Sequence, residues 1–254
     1  MDLKSLIGQR FAEGQWSFGS ERAQALQQAI GITPDSRELP PTLAFSADMD
    51  LRVIDQLFSM TGLAAHQLLH GEQHFSYHRP LLPGQLYQSR AELGAVHDKG
   101  RFSLLHKHTR LSAEDGALVC EMLSIYVAMP TPGAPSDGPL LDTPAAPARS
   151  AVPISRAQIG AFAQASGDDN RVHLQTEIAR QAGHADVFAQ GMLGMGMLGA
   201  LLPTSRLKRF GVRFVSPIAL GDQPRLYLLG STPGELLLTN HQGHIRLKGY
   251  AELG

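Results

Sequence analysis

Ala25-Leu-Gln-Gln-Ala-Ile-Gly31 and Ala161-Phe-Ala-Gln-Ala-Ser-Gly167 decide the reading of the fold, because they align without a gap at a spacing of 136 residues. A second pair, Arg79-Pro-Leu-Leu-Pro-Gly84 and Ser216-Pro-Ile-Ala-Leu-Gly221, follows at a spacing of 137, setting Pro80 on Pro217 and Gly84 on Gly221. Nearly constant spacing over two separate segments is hard to obtain by chance and marks an internal duplication.

Working outward, the copies are separated by PTPGAPSDGPLLDTPAAPARSAVP, from Pro130 to Pro153. A stretch so rich in Pro, Ala, Gly and Ser supplies neither ladder donors nor helix interiors and reads as a linker. The expected division is residues 1–130, a linker over 131–153, and residues 154–254. Each half then runs in the same order. A short amphipathic helix (Ser20 to Ile30; Ser155 to Ser166) precedes a more apolar one (about Leu51 to Leu69; Gly191 to Leu202). Four strands follow: HFSYHRP, LYQSRAELGAVH, FSLLHKHTRLS and ALVCEMLSIYVA in the first half; VRFVSP, RLYLLGS, GELLLTN and HIRLKGYAEL in the second. Turn signals stand at Asp98–Gly100, Glu114–Gly116, Pro233–Gly234 and Gln242–Gly243. The pattern predicts an α+β chain in which each antiparallel meander wraps its own apolar helix.

Composition narrows the function classes. Twenty-two Lys and Arg stand against 23 Asp and Glu, so no bulk field points to nucleic acid or an anionic membrane. Any anionic ligand must meet a local patch. The single cysteine, Cys120, excludes an intrachain disulfide and lies in an apolar run as a buried small residue. The apolar stretch Gly191 to Leu202 is too short for the roughly 20 residues of a membrane span. The N-terminal MDLKSLIGQRF lacks a signal-peptide core, so a cytoplasmic location is expected.

The duplication is most informative where it fails. After Gly167 the second half reads Asp168-Asp169-Asn170-Arg171-Val172-His173; after Gly31 the first reads Ile32-Thr33-Pro34-Asp35-Ser36-Arg37. Ile32 thus replaces Asp168, and Arg37 replaces His173. A carboxylate and an imidazole survive in one copy only, which suggests one working site and one supporting half. SGDDN alone would be an ordinary helix-ending turn. His173, the following GML helix and the duplicated frame argue for more than that.

The run from Phe162 to His173, FAQASGDDNRVH, resembles the signature of MaoC-like (R)-specific enoyl-CoA hydratases, which have a hot-dog fold and carry Ser-Gly-Asp-x-Asn-Pro-x-His. Ala189-Gln190-Gly191-Met192-Leu193 is similar to the start of their central helix, and VRFVSPIALGD to one of their strands. In the first half, LPPT (Leu39 to Thr42) and GEQHFSYHRPLLPG (Gly71 to Gly84) resemble the degenerate N-terminal hot dog of double-hot-dog hydratases and dehydratases. The resemblance implies a double hot-dog fold and reversible hydration of a trans-2-enoyl thioester, of CoA or acyl carrier protein, to the (R)-3-hydroxyacyl thioester. No metal or redox cofactor is implied, and a homodimer of double hot dogs is a further expectation. By the same resemblance His173 takes or orients the proton of water, and Asp168 helps activate it and completes proton transfer to the α-carbon. Two positions depart from the family: Arg171 replaces the usual Pro, either loosening the turn or reaching an anionic group, and Gln190 replaces the usual His.

The chemistry calls for these residue types independently. Adding water to an enoyl thioester needs a base, an acid for the α-carbon, and donors for a thioester oxygen that gains charge. Asp168 and His173 can flank one water, with Asn170 fixing the turn. Gly191 opens an apolar helix whose unpaired amides and dipole suit an oxyanion, and its missing side chain lets a carbonyl approach. Gln190 and Met192 flank that position as candidate substrate contacts, although Met192, Met195 and Met197 also read as plain core. Arg206, Lys208 and Arg209, between the apolar helix and the next strand, are either a phosphate patch or a solvated loop. His66, His70, His74 and His78 recur at intervals of four, but Gly71 is expected to end the helix before the last two, so no metal site is expected. His106 and His108 alternate on a solvated strand face. Walker, HExxH and GxSxG motifs are all missing. Two rivals remain: a hot-dog acyl-thioesterase, and a non-catalytic acyl-thioester-binding subunit.

Overall fold

The computed structural model describes residues 2–31, 39–64, 66–129, 136–142, 146–230 and 234–254. In the first half the elements are β1 (Gly14–Trp16), α1 (Ser20–Ile30), α2 (Ser46–Asp50), α3 (Val53–Thr61), β2 (Leu68–Tyr77), β3 (Tyr87–Asp98), β4 (Ser103–Ala113) and β5 (Leu118–Ala128). The second half continues with β6 (Arg149–Ser150), α4 (Arg156–Ser166), α5 (Arg171–Leu174), α6 (Thr176–Gln181), β7 (Phe188–Ala189) and α7 (Gly191–Gly199). It closes with β8 (Leu207–Phe214), β9 (Ile218–Ala219), β10 (Arg225–Leu229), β11 (Gly234–Thr239) and β12 (Ile245–Leu253).

Two compact units emerge, and neither is one continuous stretch: Met1–Gly19 joins Ala44–Gly133, while Ser20–Leu43 joins Ala134–Gly254. In the first unit the antiparallel order is β1-β3-β4-β5-β2; in the second it is β8-β12-β11-β10-β6. The last three long strands of each unit form a meander, but the first long strand pairs with the last rather than with its sequence neighbour. This shared permutation, β2-β5-β4-β3 and β8-β12-β11-β10, is what a duplicated topology requires.

The first unit buries Val53 and Leu57 of α3 among Leu68, Leu93, Leu105 and Tyr126. The expected helix from Leu51 to Leu69 is shorter in the structure. Gly62, in the left-handed region at φ 64°, returns its N–H to Phe58 O at 2.9 Å and ends α3. Leu68 onward is strand, and Gly71 lies inside β2 at a register shift between His70 and Glu72. The four-residue spacing of the histidines therefore does not ride on a helix. The other expected strands and helices appear in the expected order, but β2 starts at Leu68 and not His74, and β8 at Leu207 and not Val212. The short elements β1, α2, α5, α6, β6, β7 and β9 are additional to those expected.

β4 carries a feature the alternation of polar and apolar residues conceals. His106 and His108 face outward, but Lys107 and Thr109 between and beyond them are fully buried. Lys107 Nζ donates to Asp48 of α2 and, at 2.9 Å, to Thr109 Oγ1, which itself donates to Asp48 Oδ1 at 2.9 Å. Nearby, Ser124 Oγ donates to Gln73 Oε1 at 2.7 Å, and His70 Nε2 lies 3.2 Å from the same oxygen. The His70 ring stacks between Phe45 and Tyr126. Burial, reinforced by the Lys107 charge, lowers its pKa to about 3.

In the second unit α7 is apolar all round and buried, as a central helix must be. Its glycines admit close neighbours: a Cβ on Gly196 would stand 2.6 Å from Ile30 Cδ1 of α1. The expected linker is partly built into this unit. Ile245 N donates to Pro139 O at 2.8 Å, Arg246 Nη1 reaches Asp137 Oδ1 at 2.9 Å, and β6 pairs along the edge of β10. Proline lacks a donor but keeps its carbonyl, and Arg149–Ser150 lies beyond most of the prolines, so this stretch does supply ladder partners.

Candidate active site

α4 begins at Ser155, whose Oγ accepts from Gln158 N at 3.1 Å, and ends at Gly167 with φ 83°. The left-handed Gly167 turns the chain sharply, and Ser166 holds the turn from within. Its hydroxyl donates to Phe162 O at 2.6 Å and accepts from Asp168 N at 3.1 Å. Asp168 Oδ1 accepts from Asn170 N at 3.4 Å; Asn170 Oδ1 in turn accepts from Val172 N at 3.2 Å and caps α5. Ser166, Asp168 and Asn170 therefore each have a backbone duty, and α5 delivers His173 five residues after Asp168.

His173 is anchored by its own ring. Nδ1 lies 2.9 Å from Phe188 O, and a carbonyl can only accept, so Nδ1 carries the proton and neutral His173 offers Nε2 as its acceptor. The Phe188 ring meets His173 edge-on at 4.7 Å and stacks on His184 at 4.0 Å. The approach to Phe188 is fixed by Asp186 Oδ1, which accepts from Val187 N at 2.7 Å, Thr176 Oγ1 at 2.9 Å and Arg156 Nη2 at 2.6 Å. Those bonds, the Val187 amide foremost, hold the Asp186 carboxyl below the usual range.

Asp168 and His173 are close enough to feel each other's charge. Burial pushes the Asp168 carboxyl upward against the lowering pull of His173, and burial holds His173 down against the raising pull of Asp168. The shifts converge, which eases proton exchange between the two groups. His184 is also held below the ordinary histidine range, by burial and then by His173.

Three residues beyond Phe188, Gly191 begins α7, and the opening amides of a helix have no carbonyl one turn back. A Cβ on Gly191 would stand 2.8 Å from Phe214 Cδ1. Gln190 and Met192, expected to touch substrate, are both buried, and Gln190 Nε2 donates to Ile159 O of α4 at 3.3 Å. Met195 and Met197 are core. Arg171 spends its guanidinium on Gln175 Oε1, at 3.0 and 2.8 Å. Lys208 and Arg209 belong to the start of β8 rather than to a loop. Arg206 Nε donates to Gly254 O at 3.1 Å, and Arg209 pairs with Glu252 at 3.3 Å. The counterparts Ile32 and Arg37 lie outside the described residues. Among the described residues, no group of three or more His, Cys, Asp or Glu side chains could hold a metal ion. Nor is any helix among them long and apolar enough to cross a membrane. His184, Asp186 and Arg22 (the last from α1) were not singled out in the sequence, since isolated polar residues in loops and on helix faces carry no periodic signal.

Residues 24–122 match the family model described as "FAS1-like, dehydratase domain region", and residues 143–231 match that of the "MaoC like domain". Among solved structures, a MaoC-like dehydratase from Phytophthora capsici superposes with a TM-score of 0.80 at 20% identity, covering 99% of this chain and 97% of its own. HtdX of Mycobacterium tuberculosis gives 0.78 at 20% identity, covering 96% and 100%. A conserved Mycobacterium tuberculosis protein described as having a double hotdog fold gives 0.57 at 14% identity, covering 96% and 95%. None of the curated proteins matches the sequence.

Proposed function

We propose, from the match of residues 143–231 to the MaoC like domain and from the double hot-dog fold, that the chain interconverts trans-2-enoyl and (R)-3-hydroxyacyl thioesters, with Asp168 and His173 as the acid–base pair. The observation that carries this reading is the anchoring of His173. With Nδ1 committed to Phe188 O, its remaining nitrogen is free to take a proton beside a carboxyl whose pKa is raised. In hydration, a water held between the two groups gives up a proton while its oxygen bonds to the β-carbon. The double-bond electrons move toward the thioester oxygen, where the amide at Gly191 stabilises the charge, and a proton delivered by the pair to the α-carbon completes the addition. Dehydration is the same path reversed. The addition is redox-neutral and calls for no cofactor. The acyl group arrives on CoA or acyl carrier protein, and a cytoplasmic location belongs to the same proposal.

Crotonyl-CoA tests the reaction class: loss of enoyl absorbance without release of thiol is the expected result. Thiol release would replace the reading by thioester hydrolysis, and neither change would leave a binder. The pH profile is a second readout of the same assay. Hydration needs ionised Asp168 and neutral His173, so the rate should fall on the acid side. Because burial raises Asp168, that fall should begin above the pH at which an ordinary aspartate titrates.

The proposal also assigns Arg206, Lys208 and Arg209 to the phosphates of a CoA substrate. Replacing all three by Ala should raise KM for CoA thioesters and spare kcat, while a pantetheine thioester without those phosphates should be unaffected. Equal losses for both substrates would remove the patch from the binding site.

A further inference from the structure

α1 and α4 are the same element twice: each has 11 residues, each is followed by a left-handed glycine, and the spacing of 136 sets Arg22 on Gln158 and Ala29 on Ala165. Both helices lie in the second compact unit. They exchange matching bonds. Gln158 Nε2 donates to Ala29 O at 2.8 Å, and Arg22 Nε donates to Ala165 O at 2.8 Å. Each helix thus closes the other's C-terminus from an equivalent position, satisfying carbonyls that have no partner within their own helix.

The exchange is unequal in one respect. On the side that leads to Ile32 the donor from the other helix is a neutral amide making one bond, with Arg149 Nη2 of β6 closing Gly31 O at 2.9 Å. On the side that leads to Asp168 it is a guanidinium, and its Nη2 makes a further bond to Ser166 O at 3.2 Å. A cation suits the negative end of a helix, and the planar fork fixes two successive carbonyls together. Ser166 is also the residue whose hydroxyl holds Asp168 N. The peptide leading into the reactive turn is therefore gripped from both sides.

We propose that Arg22 is a positioning residue for Asp168, supplied by the half of the chain that has no acid–base pair of its own. The role rests on the reading of Asp168 as a catalytic group. It gives the first copy of the duplication a part in the reaction: α1 sets the angle at which α4 releases the chain, and so the placement of the carboxyl relative to His173.

The test compares Arg22→Met with its mirror variant Gln158→Met. Misplacing a reacting group by a fraction of an ångström is costly, so Arg22→Met should lower kcat about 10- to 100-fold with KM nearly unchanged. Gln158→Met should keep kcat within about twofold of wild type even if its Tm falls as far. Amide hydrogen exchange at Asp168–Asn170 should accelerate about tenfold or more in Arg22→Met, while β12 stays protected. That exchange reads the turn whether or not the protein hydrates crotonyl-CoA, so an inactive wild type would overturn the proposed reaction while leaving the grip on the turn decidable. Unchanged exchange and kcat in Arg22→Met, or an equal kcat loss in Gln158→Met, would overturn the assignment. Should Arg22→Met fail to fold, Arg22→Lys decides. It keeps the charge but loses the fork, and wild-type kcat in it would sink the proposal.

Discussion

Asp168→Asn and His173→Ala should each lower kcat for hydration by about 10²–10⁴, the usual contribution of a general acid or base. Asparagine keeps the shape of the side chain and its Oδ1 can still accept from Asn170 N, so the turn should persist while proton transfer fails. The sign of the stability change separates this from a folding defect. Burial raises the Asp168 pKa in the folded state. The stability tied to this group is therefore present below its unfolded pKa and is lost as pH rises through and beyond it. At neutral pH the ionised carboxylate works against the fold, so Asp168→Asn should hold or raise Tm while activity collapses. Because both groups act on one water, the double variant should lose far less than the product of the single losses. Near-normal hydration in both single variants would show that the site lies elsewhere.

Lys107→Met should be the most damaging change in the first unit, costing about 3–5 kcal/mol, because it strands the fully buried Asp48 without its cation. Trp16 is the only tryptophan of the chain. It is buried in this unit, with Nε1 donating to Asp50 Oδ2 at 2.9 Å, so its fluorescence reports the loss. Replacing both charges, as in Asp48→Leu with Lys107→Met, should recover much of the deficit, since an ion pair out of water gains little over well-packed apolar groups. A single Lys107→Met variant as stable as wild type would mean that water reaches the pair. His70 adds a pH dependence in the same unit. Its folded pKa is about 3, far below that of an unfolded histidine, so the unit should lose stability as pH falls below about 6.5.

Strand placement was legible because most inward positions alternate with polar ones, and the two amphipathic helices because both end on the same Ala-x-Gly pattern. The turn at Asp168 was legible because its residue types perform local backbone duties that hold whatever surrounds them. What the sequence concealed depends on partners far along the chain. In FSLLHKHTRLS the inward face reads Leu105, Lys107, Thr109, Leu111. Nothing local says that Lys107 turns inward to a carboxylate 59 residues earlier. The histidine spacing misled for a related reason: intervals of four suit a helix, and only Gly62 reveals that the helix has already ended. Gln190 is the reverse case, a polar residue placed at the substrate by its neighbours in sequence and found bonded to Ile159 O.

The two copies no longer correspond to two separable pieces of protein. A chain cut at Pro153 would leave α4 without α1 against it, Ala165 O and Ser166 O without Arg22, and β10 without β6 along its edge. An exposed strand edge invites pairing with other chains. The inherited repeat and the unit that folds have drifted out of register. Shuffling the second half into another protein would carry off the acid–base pair and abandon part of its scaffold.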